Sequence, residues 1–137
     1  MLQISFQIFW ISKRICQSEN DEFYFKKSKT MDLSKKKCIP CEGGIPPLNE
    51  KEIAEYKKHI SDDWKVIENG KISKEFFFVS YRQTIDFVNR VADIAESEGH
   101  HPVLHIYFGR LVAELWTHSI NGLSENDFIL ASKIDKL

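Results

Sequence analysis

Cysteine is scarce in this chain. Three cysteines occur among 137 residues, and Cys16, Cys38 and Cys41 all lie in the N-terminal third. Three cysteines do not form the paired disulfide framework of a small secreted protein, so their number favours a reducing compartment. A lone Cys-x-x-Cys motif without a second pair is also weak as a zinc or redox site. We therefore interpret Cys38 and Cys41 as exposed thiols in a flexible arm.

Long apolar runs and a strong excess of charge are also missing. No run approaches the ~20 residues that a membrane-spanning helix requires, so the sequence predicts no membrane association. The formal net charge is −1, and residues 1–47 hold eight of the 19 Lys and Arg residues but five of the 20 Asp and Glu residues. The rest of the chain is mildly acidic, which argues against direct binding of nucleic acid. These features favour a cytoplasmic protein.

The pattern of residues predicts an N-terminal extension over 1–37 and a folded domain over 38–137. Residues 1–12 are largely apolar, but Lys13 and Arg14 follow them, which reverses the order found in a secretory signal. A mitochondrial or plastid presequence, or translation from Met31, would each account for this extension. Because residues 13–47 are rich in lysine and end in a run of Pro and Gly, we interpret them as a linker and expect regular structure from Leu48.

The sequence of the first half of the domain predicts a helix, a hairpin and a second helix. Asn49 followed by Glu52 predicts a capped helix to about Ile60, and Asn69-Gly70 predicts the turn between strands near Trp64–Val66 and Ile72–Val79. The main core helix is expected to begin at Ser80 and end at Gly99. Its apolar face comprises Tyr81, Ile85, Val88, Ala92 and Ala95, widened by Phe87, Val91 and Ile94.

The second half predicts another hairpin and a last helix. Alternating residues over Leu104–Phe108 and Leu111–Thr117 flank a Gly109-Arg110 turn, and Ser124 with Asp127 predicts the start of a helix. The order is α-β-β-α-β-β-α. It predicts an α+β two-layer sandwich, in which helices cover one face of a four-stranded antiparallel sheet.

Three histidines, His100, His101 and His118, lie close together in sequence near the ends of predicted elements. Imidazole has an unperturbed pKa of ~6.5, so the cluster indicates either proton transfer or a metal. A metal is disfavoured because His100 and His101 are consecutive, and neighbouring side chains of an extended chain point in opposite directions. General acid–base catalysis without a metal or cofactor is our hypothesis, with Glu96 fixing a histidine tautomer. That these are merely polar residues at junctions remains the alternative.

Other catalytic motifs are missing. The chain has no His-Glu-x-x-His zinc motif, no Gly-x-Ser-x-Gly elbow and no glycine-rich phosphate loop. One extended pattern does stand out: Glu96-x3-His100-His101-Pro102-x5-Phe108-x9-His118-x8-Asp127. It resembles the signature of the pterin-4a-carbinolamine dehydratases, with Phe108 where members often have Tyr. The resemblance covers about residues 48–137, and Cys38 to Gly44 resembles an N-terminal element of some eukaryotic members.

The resemblance implies dehydration of 4a-hydroxytetrahydrobiopterin to quinonoid dihydropterin, in tetrahydrobiopterin recycling and with no cofactor. It implies that His100 and His118 form the acid–base pair, that His101 contacts the pterin and stabilises developing charge, and that Glu96 orients a histidine. The substrate-binding set that it implies is His100, His101, Pro102, Thr117, His118, Ser119 and Asp127.

The resemblance also implies a second class of function. Members of this fold resemble non-catalytic interaction proteins, either dimerisation cofactors of a transcription factor or Rubisco assembly factors. A relative that only assembles other proteins is expected to lose the histidines, whereas this chain keeps His100, His101 and His118. The enzyme is therefore the leading hypothesis. We also expect a homodimer or homotetramer, because such members pair through sheet edges and helix faces.

Overall fold

The computed structural model describes residues 31–40, 46–68 and 70–137, and over these ranges it contains three α-helices and four strands. The elements are α1 (Glu50–Lys57), β1 (Lys65–Ile67), β2 (Lys71–Phe77), α2 (Tyr81–Glu98), β3 (Val103–Tyr107), β4 (Arg110–Leu115) and α3 (Glu125–Ile134). Two short 3₁₀-helices, Leu33–Lys35 and His118–Ile120, complete the set. The predicted α+β class and element order are confirmed. No helix in the described ranges is both long and apolar enough to cross a bilayer.

The sheet is antiparallel with the strand order β1-β2-β4-β3. The central strand β4 buries every second side chain, namely Leu111, Ala113 and Leu115, and Leu115 pairs with the buried Ile72 of β2. This alternation places one sheet face against the helices. Because β4 is central and apolar, the segment that leaves its C-terminal end is firmly positioned.

Helix α2 is rotated relative to the face predicted for it. Its buried residues are Thr84, Phe87, Val91 and Ala95, whereas Tyr81 and Ala92, which were expected in the core, are exposed. The aromatic ring of Phe87 determines the rotation, because it packs against two rings of the first hairpin, Phe76 at 4.8 Å and Phe78 at 5.2 Å between centroids. Aromatic pairs of this kind contribute about 0.5–1.5 kcal/mol beyond the area that they bury. Thr84 is tolerated because its hydroxyl donates to the Ser80 carbonyl.

Several local signals in the sequence are confirmed. Asn49 and Glu52 form a reciprocal capping box at the start of α1, and Gly99 ends α2 with φ +65°. Gly109 has φ +67°, and a Cβ there would lie 2.8 Å from the Phe78 carbonyl oxygen, so the β3–β4 turn requires glycine. The strand predicted to reach Val79 ends at Phe77. Asn69 of the predicted first turn lies outside the described residues.

The expectation that regular structure begins at Leu48 is wrong. Residues Met31–Pro40, which we call the arm, contain a 3₁₀-helix whose Leu33 lies in the same core cluster as α3. Cys38 is also buried there, so its assignment as an exposed thiol is wrong, while Cys41 lies outside the described residues. Leu33 and Cys38 are separated by four polar residues, which hid the two anchoring positions from a periodicity analysis. The boundary predicted at residue 38 stays a prediction.

Candidate active site

His100 follows the left-handed cap of α2 and is turned inward. Its backbone N–H donates to the Ala95 carbonyl at 3.2 Å, which continues the helical hydrogen bonding by one residue past Gly99. Its Nε2 lies 2.7 Å from Oδ1 of Asp127, in the first turn of α3. The His100 side chain is 12% exposed and that of Asp127 is fully buried. The pair therefore joins the end of one helix to the start of another.

Asp127 accepts several hydrogen bonds in this buried position. Its Oδ2 accepts from the Ser124 N–H at 2.8 Å and from the Thr117 hydroxyl at 2.8 Å. The Thr117 and Ser124 hydroxyl oxygens are 2.7 Å apart, so Ser124 donates to Thr117 when Thr117 donates to Asp127. Asp127 is thus the acceptor in each of these hydrogen bonds. His100 must then carry a hydrogen on Nε2, which it donates to Asp127. The Nδ1 atom of a neutral His100 then keeps its lone pair for another proton.

His101 is open to solvent. Its Nε2 lies 2.9 Å from Oε1 of Glu96, one turn back on α2. The two side chains are 60% and 78% exposed. One dipeptide thus supplies a buried imidazole and an exposed one, each with its own carboxylate partner.

His118 belongs to the segment that follows β4. Thr117 forms an isolated bridge with Gly122, and the chain between them makes a 3₁₀-turn that presents His118 at the surface. The His118 imidazole stacks on the Trp116 indole, with 4.3 Å between ring centroids and 29° between planes. The Lys71 ammonium lies 3.8 Å from the centre of the Trp116 ring. The stack restricts the orientation of His118.

These three histidines border one cavity of about 250 Å³. It is lined by Ile39, Gly99, His100, His101, Trp116, Thr117, His118, Ser119 and Asn126. The structure therefore brings together five of the predicted site residues: His100, His101, Thr117, His118 and Ser119. The volume lies below the ~300–1,000 Å³ of pockets for drug-sized ligands, so the cavity suits a compact molecule.

The other predicted site residues stand behind this lining or away from it. Asp127 is fully buried behind His100, and Glu96 contacts His101 outside the cavity wall. Pro102 is half-buried and is not part of the lining. Phe108 of the sequence signature is 80% exposed at the β3–β4 turn. Asp127 and Glu96 are thus placed to act through a histidine.

Sequence reasoning missed four lining residues: Ile39, Gly99, Trp116 and Asn126. Trp116 has a signal, because an aromatic residue two positions before a candidate histidine lies on the same side of an extended chain. Asn126 directly precedes Asp127, and a polar residue at a helix start gives no signal that marks it as part of a site. Ile39 lies within Cys38 to Gly44, which resembles an element of some family members, but that resemblance assigned no site residue there.

A buried ion pair anchors the arm near this cavity. Glu98 accepts the Cys38 N–H at 2.8 Å and forms a 2.5 Å ion pair with Lys133. Burial would raise the pKa of Glu98, but the hydrogen bonds from Lys133 and Cys38 outweigh it and hold the pKa below its usual value. Burial and the charge of Glu98 raise the pKa of Cys38 to about 12. Cys38 is therefore a protonated thiol near neutral pH, which suits packing and not redox chemistry.

A larger groove of about 560 Å³ lies on the opposite end of α3, near Met31 and Lys58. Its carboxylates are already engaged: Asp135 accepts from the Trp64 indole and Lys74, and Asp32 pairs with Lys136. Across the described ranges, no three His, Cys, Asp or Glu side chains converge as a set of metal ligands. The 250 Å³ cavity is the better candidate, because three histidines line it, whereas His59 is the one histidine among the residues that line the larger groove.

Comparison with known proteins gives consistent matches. The family model described as Pterin 4 alpha carbinolamine dehydratase matches residues 46–137. A candidate pterin-4-alpha-carbinolamine dehydratase of Rickettsia bellii is 51% identical over 108 residues, which are 79% of this chain and 96% of that protein. One from Alkaliphilus metalliredigens is 42% identical over 105 residues, 77% and 95% of the two chains. Among solved structures, a transcriptional coactivator/pterin dehydratase from Brucella melitensis aligns with a TM-score of 0.62 at 30% identity, covering 66% of this chain and 96% of that one.

Proposed function

Because the chain belongs to the pterin 4 alpha carbinolamine dehydratase family, we propose that it dehydrates a 4a-hydroxytetrahydropterin to the quinonoid dihydropterin. The observation that carries this proposal is the cavity itself, in which His100 and His118 border the same space while Asp127 holds His100 from behind. The reaction breaks the bond between C4a and its hydroxyl oxygen. It also removes the proton from N5, so that the N5 electron pair forms the C4a=N5 double bond.

The two imidazoles suit the two proton transfers. His100 directs its Nε2–H to Asp127, so we assign to its Nδ1 the removal of the N5 proton. His118 then donates a proton to the departing hydroxyl, which leaves as water. The flat stack of His118 on Trp116 keeps that donor in one orientation. His101 contacts the pterin and stabilises developing charge, with Glu96 fixing its tautomer.

The supporting residues divide by position. Thr117 and Ser119 line the cavity and are proposed to contact the substrate, whereas Asp127 acts through His100. We keep Pro102 in the proposal as a residue that shapes the chain between His101 and β3. A cytoplasmic location and a place in tetrahydrobiopterin recycling belong to this proposal as well.

Stopped-flow measurement of 4a-hydroxytetrahydropterin dehydration tests the function. We expect the wild type to accelerate the reaction over buffer and His118→Ala to lose about 10²–10⁴-fold in kcat. His105→Ala is the matched control, because it removes an exposed imidazole on β3 that does not border the cavity. No acceleration by the wild type would refute the enzyme and favour the non-catalytic alternative. Unchanged activity on addition of a chelator is expected for chemistry without a metal.

We also propose a homodimer or homotetramer. Phe77, Val79 and Phe108 are 72%, 90% and 80% exposed, and the Phe78 N–H donates to the Gly109 carbonyl, which brings these side chains to one end of the sheet. Large apolar side chains grouped at a surface favour association. Sedimentation analysis of the wild type and Phe108→Ser checks this, and a monomeric wild type at micromolar concentration would contradict it.

A further inference from the structure

The arm is fixed to the body of the protein on both sides of its midpoint. Leu33 is almost fully buried in the core. Five residues later, the Cys38 N–H donates to Glu98 and its Sγ lies 3.7 Å from the Asn126 carbonyl oxygen. Apolar burial and a hydrogen bond to a paired carboxylate together hold the arm in one position.

Asn126 fixes the next residue, Ile39, by two hydrogen bonds. Its Nδ2 donates to the Ile39 carbonyl at 2.6 Å, and its Oδ1 accepts from the Ile39 N–H at 3.0 Å. The side-chain amide thus binds both backbone groups of a single residue. Asn126 directly precedes Asp127, which binds His100. The first turn of α3 therefore positions both Ile39 and the His100 imidazole, and both of these residues line the cavity.

The Ile39 side chain has no packing role that explains this arrangement. It is 69% exposed, and it lines the cavity together with the histidines and Trp116. An exposed isoleucine contributes little to folding, because little of its surface leaves water. Much of the remaining lining is polar, so Ile39 and Trp116 provide apolar surface there.

We propose that Ile39 is a substrate-binding residue of the cavity, whose side chain packs against the bicyclic ring of the pterin. The inference rests on the proposed function for the identity of the ligand. Ile39 has no group that exchanges a proton, so it binds substrate and transition state equally. Its removal therefore weakens binding and raises KM while kcat is retained. Asn126 is a positioning residue, because it holds Ile39 by its backbone.

The test compares Ile39→Ala with Met31→Ala in the full-length chain. Met31 is the matched control, since it is a part-exposed apolar residue of the same arm and does not line the cavity. Calorimetric titration with 7,8-dihydrobiopterin measures binding without catalysis, and the dehydration assay gives KM and kcat. We expect Ile39→Ala to raise Kd and KM about five- to tenfold with kcat within about twofold, from the loss of one apolar contact. Met31→Ala is expected to match the wild type.

A double-mutant cycle tests the positioning step. If Asn126 acts by holding Ile39, then Ile39→Ala should raise Kd much less in an Asn126→Ala background than in the wild type. Equal effects in both backgrounds would overturn the role of Asn126. Wild-type binding by Ile39→Ala would overturn the role of Ile39.

The same measurements separate this inference from the proposed function. A wild type that binds dihydrobiopterin, loses affinity on Ile39→Ala and yet accelerates no dehydration would refute the function and retain the inference. A wild type that catalyses dehydration while Ile39→Ala keeps its KM and Kd would retain the function and refute the inference. A wild type that neither binds nor reacts would refute both.

Discussion

Two adjacent histidines of this chain differ in almost every physical respect. His100 is mostly buried and binds a fully buried carboxylate, Asp127, that also accepts from a backbone N–H and a hydroxyl. His101 is largely exposed and binds Glu96, which is more exposed still. Both pairs have Nε2–O distances below 3 Å. The two pairs are alike in their Nε2–O distances, but they differ in how far their side chains are exposed to solvent.

The difference shows what holds an imidazole in place. A pair in water is screened and exchanges its partner for solvent, so it contributes little. Asp127 is fully buried, and the Ser124 N–H and the Thr117 hydroxyl fix that carboxylate in place. The orientation of His100 is therefore determined by α3 and by the segment after β4. The orientation of His101 is held less firmly, because its partner Glu96 is exposed to water.

The largest expected effect separates the two imidazoles themselves. His100→Ala removes the proposed base, so we expect a loss of about 10²–10⁴-fold in kcat. His101→Ala removes a substrate contact at the surface, so we expect about a tenfold rise in KM and a smaller change in kcat. Steady-state dehydration kinetics measure both. Equal losses of kcat in the two variants would break the distinction drawn from burial.

The next effect concerns the carboxylates. In Asp127→Asn the amide oxygen can keep the bonds from Ser124 and Thr117, but its NH₂ then faces Nε2 of His100 and favours the other tautomer. We expect kcat to fall about 10- to 100-fold, the size seen for carboxylates that orient a metal-bound histidine. Glu96→Gln is the matched control at the exposed pair, with an expected change below about threefold. Similar values of kcat for the two variants would contradict an orienting role of Asp127.

The contrast between the pairs could be predicted from sequence only in part. Adjacency in extended chain predicts that His100 and His101 diverge, and Gly99 predicts where α2 ends. Neither feature reveals which imidazole turns inward, because that depends on Asp127 arriving from a helix 27 residues later. The same limit hid Ile39, whose position depends on Asn126 and on the buried Cys38. Periodicity in the sequence predicts helices and strands, but it does not predict hydrogen bonds between side chains that are far apart in the chain.

A separate effect is expected on stability. Asp127→Ala leaves the Ser124 N–H, the Thr117 hydroxyl and the His100 imidazole without their buried acceptor, so we expect a loss of about 3 kcal/mol in the free energy of unfolding. Glu96→Ala removes an exposed acceptor, and we expect a change within about 0.5 kcal/mol. Urea denaturation of the two variants measures the difference. Comparable losses would show that the exposed pair also carries folding energy.

The smallest effect extends the comparison to Glu98, which lies two residues after Glu96 on α2. Its side chain is 8% exposed, and Lys133 and the Cys38 N–H hold its pKa below the usual value. A carboxyl whose pKa is lower in the folded state stabilises the fold fully above its unfolded pKa of ~4.3, and this contribution is lost as pH falls through the folded pKa. We therefore expect Glu98→Gln to be less stable than the wild type at pH 7, with the difference shrinking as the pH falls below ~4. Glu96→Gln should stay close to the wild type throughout, because water replaces its only described partner. Urea unfolding of both variants and the wild type at pH 7 and pH 3.5 measures these differences. If the stability difference between Glu98→Gln and the wild type is the same at both pH values, the charge of the ion pair that anchors the arm contributes nothing to stability.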